Sequence, residues 1–248
     1  MKNLLLATTL LAAVGATPAH ARLQLSITAN GATFSCFDGQ LSCDQSGGAN
    51  NLLVIDQTVG GAFVEVTLAQ STFGHPDILQ LSSSNIENVS GAPIRIGLFA
   101  SDTGFSPPVR SILESGSLTF NDAVGSGPSA LSFFADTLNR QGANPTNTPG
   151  TNLDTVVGTP VTNPDSFSGS RLSAFASDSP FSMTESASLA LIAGGSITGF
   201  NQSMQTAAIP EPSTWAMLVA GFALFSLVGW KRKRTARAFD CEAQAGKL

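Results

Sequence analysis

SLALIAGGSITGF, residues 188–200, alternates larger apolar side chains with small or polar ones on either side of a glycine pair. A period of two belongs to a strand with one face buried, because successive side chains point to opposite faces. Two such runs, Ser188–Ile192 and Ser196–Phe200, bracket Gly194-Gly195, and that arrangement predicts a hairpin late in the body. The same period recurs upstream. Leu23, Leu25 and Ile27 alternate with polar neighbours, Val64, Val66 and Leu68 with Phe63, Glu65 and Thr67, and Ile94, Ile96 and Leu98 follow suit. Leu131, Phe133 and Ala135 continue it. The segments are short, Gly, Asn and Ser punctuate them, and no long 3.6-residue pattern interrupts. The expectation is all-β: an antiparallel sandwich or jelly-roll-like domain of eight or more strands, with a β-solenoid as runner-up that lacks any fixed repeat.

Within that body, Asn88–Phe105 reads as a strand with a turn at each end, Ser101-Asp102-Thr103-Gly104 closing it. Residues 142–164 hold four prolines among Asn, Thr and Gly, which predicts a long surface excursion with a short strand at Leu153–Val157.

The chain's two ends differ from its body. Lys2, the apolar run Leu4–Val14 and the small-x-small end Ala19-His20-Ala21 follow the grammar of a cleaved signal peptide over residues 1–21, with Arg22 first in the mature chain. Such export makes a local disulfide between Cys36 and Cys43 the expected state of CFDGQLSC. A metal site there would need more ligands than His75 supplies. Near the other end, Trp215–Trp230 is 16 residues without a charge. At about 1.5 Å per residue it spans about 24 Å, or about 27 Å with Ser213 and Thr214, close to the roughly 30 Å hydrocarbon core. Lys231, Arg232, Lys233 and Arg234 follow at once, a topology stop that keeps the C-terminus in the cytoplasm. The expectation is one transmembrane helix at 215–230 and a short cytoplasmic tail at 235–248.

Charge separates body from ends. Only 12% of residues are charged, about half the soluble average, and Tyr is absent. Between Arg22 and Ile209 stand five basic residues against fourteen acidic ones, a net of −9, whereas six of the twelve Lys and Arg lie after Trp230. An acidic body excludes nucleic acid as a partner, since phosphate binding needs a basic face.

Pro210, Glu211, Pro212, Ser213, Thr214 and Trp215, then one short hydrophobic helix, then a basic cluster, resemble the PEP-CTERM sorting signal of Gram-negative bacteria over residues 209–234. The same segment also goes by the label of an ice-binding protein C-terminal domain. The resemblance implies recognition of Pro210-Glu211-Pro212 by exosortase, a membrane-embedded cysteine transpeptidase, and an association with exopolysaccharide. Two prolines fix φ and bar helix at Ile209 and Glu211, so the motif stays extended and open to an enzyme. One departure is the tail TARAFDCEAQAGKL, with Cys241, because members usually stop soon after the basic cluster.

A catalytic constellation does not emerge. His75, in FGHPD, is the single histidine of residues 22–208, so a Ser-His-Asp triad would have to use it. The Gly-x-Ser-x-Gly elbow is absent; Gly125-Ser126-Gly127 and Gly169-Ser170 read as loop residues. Asp38 and Asp44 flank the cysteine loop without the alternation of a calcium loop. No cofactor fingerprint and no metal-ligand spacing is present. The expectation is an exported protein, not an enzyme: tethered to the inner membrane as a precursor, sorted by exosortase, then placed at the cell surface or in the extracellular matrix. There it has a structural or adhesive role in biofilm or exopolysaccharide. The alternative is an exported hydrolase or a polysaccharide-binding module on the same tether.

Overall fold

The computed structural model describes residues 23–74, 76–142 and 148–207. The chain divides into two compact units, 1–207 and 208–248, and the described residues all lie in the first. The expected signal peptide with Ala19 and Ala21, the expected helix at 215–230, the 231–234 cluster and the tail lie outside them.

Period-two patterning becomes strand throughout, and no helix occurs among the described residues. The first half holds β1 (Gln24–Ala29), β2 (Ala32–Phe37), β3 (Leu52–Val59), β4 (Ala62–Thr72), β5 (Ile78–Ser83) and β6 (Asn85–Asn88). The second holds β7 (Ile94–Phe105), β8 (Val109–Asn121), β9 (Ser129–Asp136), β10 (Thr151–Gly158), β11 (Asp165–Ser177), β12 (Phe181–Leu191) and β13 (Ser196–Thr206). Two antiparallel sheets result. One has the order β10-β9-β12-β7-β1-β2; the other runs β11-β8-β13-β5-β4-β3, with β6 prolonging β5 between β13 and β4. From β5 onward the chain winds between them so that β7-β12-β9-β10 faces β5-β13-β8-β11, the connectivity of an eight-strand jelly roll. Strands β1–β4 widen both sheets on one side.

The core lies between the sheets. Leu25, Ile27, Ile96, Leu98, Leu131, Phe133, Leu189 and Leu191 enter it from the first sheet, and Leu79, Leu81, Ile112, Leu118, Phe120, Ile197 and Met204 from the second. Each large apolar side chain buried this way contributes about 1.5–3 kcal/mol. Phe73, Phe105, Phe181 and Phe175 form a chain of ring contacts with centroids 5.1–5.8 Å apart. Two hairpin turns also meet: Asn30 Nδ2 donates to the Gly60 carbonyl at 2.7 Å. Gly60, at φ 56°, has no room for a side chain, because a Cβ would lie 2.0 Å from the Ala29 carbonyl oxygen.

Three expectations are corrected. The runs around Gly194-Gly195 do not form a hairpin: β12 pairs with β7 and β9, whereas β13 pairs with β8, β5 and β6 in the opposite sheet. The turn, closed by the Gly195 amide on the Ile192 carbonyl at 3.0 Å, is an arch across the sandwich. Both strands aim their apolar faces into one core from opposite sides, which alternation alone does not distinguish from shared membership of a sheet. Ser101-Asp102-Thr103-Gly104 is not a turn but part of β7. Its register against β12 shifts opposite Phe181/Met183, and Asp102 is held by the Thr103 amide and the Ser71 hydroxyl. Gly169-Ser170 sits inside β11, where Val156 packs at the place a Gly169 Cβ would take. The strand expected at Leu153–Val157 is present as β10, Thr151–Gly158, an edge of the first sheet.

Candidate functional site

The cysteine loop is a structural clasp. Cys36, buried on β2, is joined to Cys43 by a disulfide. Asp44 accepts the amides of Gly39 and Ser46 at 2.9 Å, and Asp38 accepts that of Asn51 at 2.8 Å. Both carboxylates are thus engaged by the backbone of their own loop. Burial works against ionisation of Asp44, but the amides of Ser46, Gly39 and Val54 hold it below the usual carboxylate range. Replacing both cysteines by Ala is expected to lower stability by about 2 kcal/mol, read from the denaturant midpoint, for a loop this short. His75 lies outside the described residues. Among the described residues no group of three or more His, Cys, Asp or Glu is placed to hold a metal ion.

Acidic side chains that the sequence did not single out enter the core. Glu185 on β12 is fully buried, and neither of its carboxyl oxygens has a hydrogen-bond partner. Burial pushes it well above the ordinary range; the Met204 amide is turned toward it without offsetting that. Glu114 on β8, register partner of Met204, receives the Ser173 hydroxyl at 3.1 Å and leaves its other oxygen unpaired. Burial raises it to about 7. Asp102, raised to about 6 by burial, takes the Ser71 hydroxyl at 2.5 Å. Gln202 reaches from β13 to the carbonyls of Ser132 and Ser186, both at 3.4 Å. All four lack solvent-exposed surface, so a dissolved polymer does not meet them.

The outer face of the first sheet carries a groove. One hollow of about 350 Å³ lies over β1, β7, β9 and β12, with Gly97, Phe99, Phe134, Ser186 and Ser188 among its lining. A second, about 300 Å³, adjoins it at the strand ends, beside Pro93, Gly125, Ser126 and Gly127. Arg95 lines both. Gly97 is required at the floor, because a Cβ there would lie 2.8 Å from the Phe99 ring and 2.5 Å from the Thr28 hydroxyl. Gly127 leaves room for the guanidinium, whose Nη2 passes 4.0 Å from its Cβ position. Among the described arginines, Arg110 pairs with Asp178 at 2.6 Å, Arg140 with Asp136 at 2.7 Å, and Arg171 approaches Asp154 at 3.6 Å. Arg95 has no carboxylate partner among the described residues, and no acidic residue lines either hollow.

What decides the class of protein is linear. The family model of the PEP-CTERM protein-sorting motif matches residues 208–233. The chain carries a PEP-CTERM sorting motif. That motif takes in Pro210-Glu211-Pro212, the apolar run and Lys231–Lys233, and it marks an exported protein sorted by exosortase. Of the sequence-read cluster, Arg234 falls one residue beyond the match. No curated protein matches the chain. Among solved structures, the isomalto-dextranase of Arthrobacter globiformis T6 complexed with panose is 12% identical at a TM-score of 0.25, over 61% of this chain and 22% of that one. The enzymatically active domain of tailspike protein 4 of bacteriophage CBA120 is 12% identical at 0.25, over 73% and 19%. The chain spans about a fifth of the length of each, and likeness this slight transfers neither fold nor activity.

Proposed function

We propose that this chain is a non-enzymatic component of the cell envelope or extracellular matrix, delivered there by exosortase and associated with exopolysaccharide or biofilm. The carrying observation is the sorting motif at 208–233, which follows an all-β body. In this reading the precursor is tethered to the inner membrane by residues 215–230, presents Pro210-Glu211-Pro212 to exosortase, and releases the body to the cell surface or matrix. The body suits such a role: acidic, low in charge, with one loop closed by a disulfide, and with Asp102, Glu114 and Glu185 enclosed rather than presented to a substrate.

Replacing Pro210-Glu211-Pro212 with three alanines is expected to leave an uncleaved precursor in the membrane fraction. Immunoblots of fractionated cells read the outcome, and processing unchanged from wild type would sink the proposal.

A further inference from the structure

The geometry points to the groove centred on Arg95 as a binding site for a carboxylate-bearing polysaccharide, an inference that rests on the matrix role proposed above and names its ligand class. The first argument is electrostatic. In a body with fourteen acidic and five basic residues, a guanidinium with no carboxylate partner among the described residues, in a groove without acids, is the place where an anionic polymer is not repelled. Guanidinium groups bind carboxylates through two parallel hydrogen bonds, and Arg95 is exposed and in no ion pair among the described residues. The second argument is the lining. Phe134, partly exposed, offers apolar surface to sugar C–H groups beside the buried Phe99 ring that lies over Gly97, while Thr28, Ser186 and Ser188 supply hydroxyls able to donate and accept. The third is shape. Two adjoining hollows that share one arginine form an extended trough, suited to a chain rather than to a compact ligand. The hollow on the opposite face, about 320 Å³ and lined by Ser115, Ser117, Ser168, Ser170 and Asn201, contains neither an aromatic ring nor a charge.

The test uses the full-length protein in detergent, with polygalacturonate as the acidic probe and dextran as the neutral one. Affinity electrophoresis is expected to show retardation by polygalacturonate at low salt, weakened at high salt, and none by dextran. Arg95→Gln is expected to weaken binding about tenfold. Arg110→Gln removes the same charge from an exposed ion pair outside the groove and is expected to leave binding unchanged. Thermal melts of both variants should match wild type, since both arginines are exposed. Equal weakening by the two substitutions would reduce the effect to bulk charge and overturn the assignment. Binding of dextran as well as polygalacturonate would overturn the carboxylate specificity while leaving a polysaccharide role intact. Binding of neither would overturn the site. None of these results alters the processing experiment, which judges the sorting reading by itself.

Discussion

Raising the pH from about 5 to about 8 is expected to destabilise the β-sandwich by about 2 to 4 kcal/mol. The cause is the set of carboxyls drawn into the core. Burial lifts Glu114 to about 7, against the Ser173 hydroxyl and its own backbone, with Asp154 adding to the rise and Arg171 opposing it. Burial likewise lifts Asp102 to about 6, with the Ser71 hydroxyl and Thr103 amide opposing and Asp38 adding. Burial raises Glu185 well above the ordinary range, and the Met204 amide opposes this without offsetting it. An acid raised in the folded state keeps its proton there after the unfolded chain has lost its own. Its stabilisation is therefore complete below the ordinary carboxylate range and is lost as pH climbs through about 6 for Asp102 and about 7 for Glu114. Asp44 and Asp136 act oppositely: their lowered values support the fold above the ordinary range and fail only in stronger acid. Maximal stability is thus expected at about pH 4 to 5. Urea midpoints across the range measure this. Glu185→Gln should raise stability at pH 8 by about 1 to 3 kcal/mol and change it little at pH 5. Stability that is flat or rising from pH 5 to 8 would contradict the account of these carboxyls.

A second large effect is expected from Asn88→Ala, a loss of about 2 to 4 kcal/mol. Asn88 ends β6, is 1% exposed, and ties two crossings of the sandwich together. Its amide nitrogen donates to the carbonyls of Ala92 and Ile192 at 2.8 Å and of Leu191 at 3.2 Å. Its side-chain oxygen accepts the Ser90 amide at 2.9 Å and the Ser90 hydroxyl at 2.6 Å. The main chain joins in: the Asn88 amide donates to the Gly195 carbonyl at 3.0 Å, and Gly194 donates to that of Asn88 at 3.1 Å. Alanine removes the side-chain half of this junction and leaves buried carbonyls without a donor. Asn201→Ala, on the outer face of β13, is expected to stay within about 0.5 kcal/mol of wild type. Denaturant midpoints of the two variants should differ accordingly; similar midpoints would show that the junction carries no special weight.

Strand positions were legible because one face of most strands is buried. Leu25 with Ile27, Ile96 with Leu98, and Leu131 with Phe133 read as strand faces in the sequence and line the core in the structure. What the pattern does not contain is which strands share a sheet. Gly194-Gly195 has the chemistry of a tight turn, and a tight turn serves a hairpin or an arch equally well. By contrast, Asn30-Gly31 and Gly60-Gly61 have positive φ at both central positions and join paired strands, a hairpin signal that stands in the sequence itself. Asp102 followed by Thr-Gly looked like turn chemistry because its partner Ser71 lies 31 residues away. The groove was hidden for the same reason: Thr28, Arg95, Phe134 and Ser186 meet only through sheet register. The sorting motif needs no register, being read as a linear string, and so it was legible in full.

The central claim, that the chain is an exported protein released by exosortase, is tested most directly by the intact mass and cell fraction of the protein from its own host, with and without the exosortase. The expected product begins at Arg22 and ends near Pro210–Pro212, outside the inner membrane, only in the strain with the enzyme. A full-length product lodged in the inner membrane of both strains would contradict it.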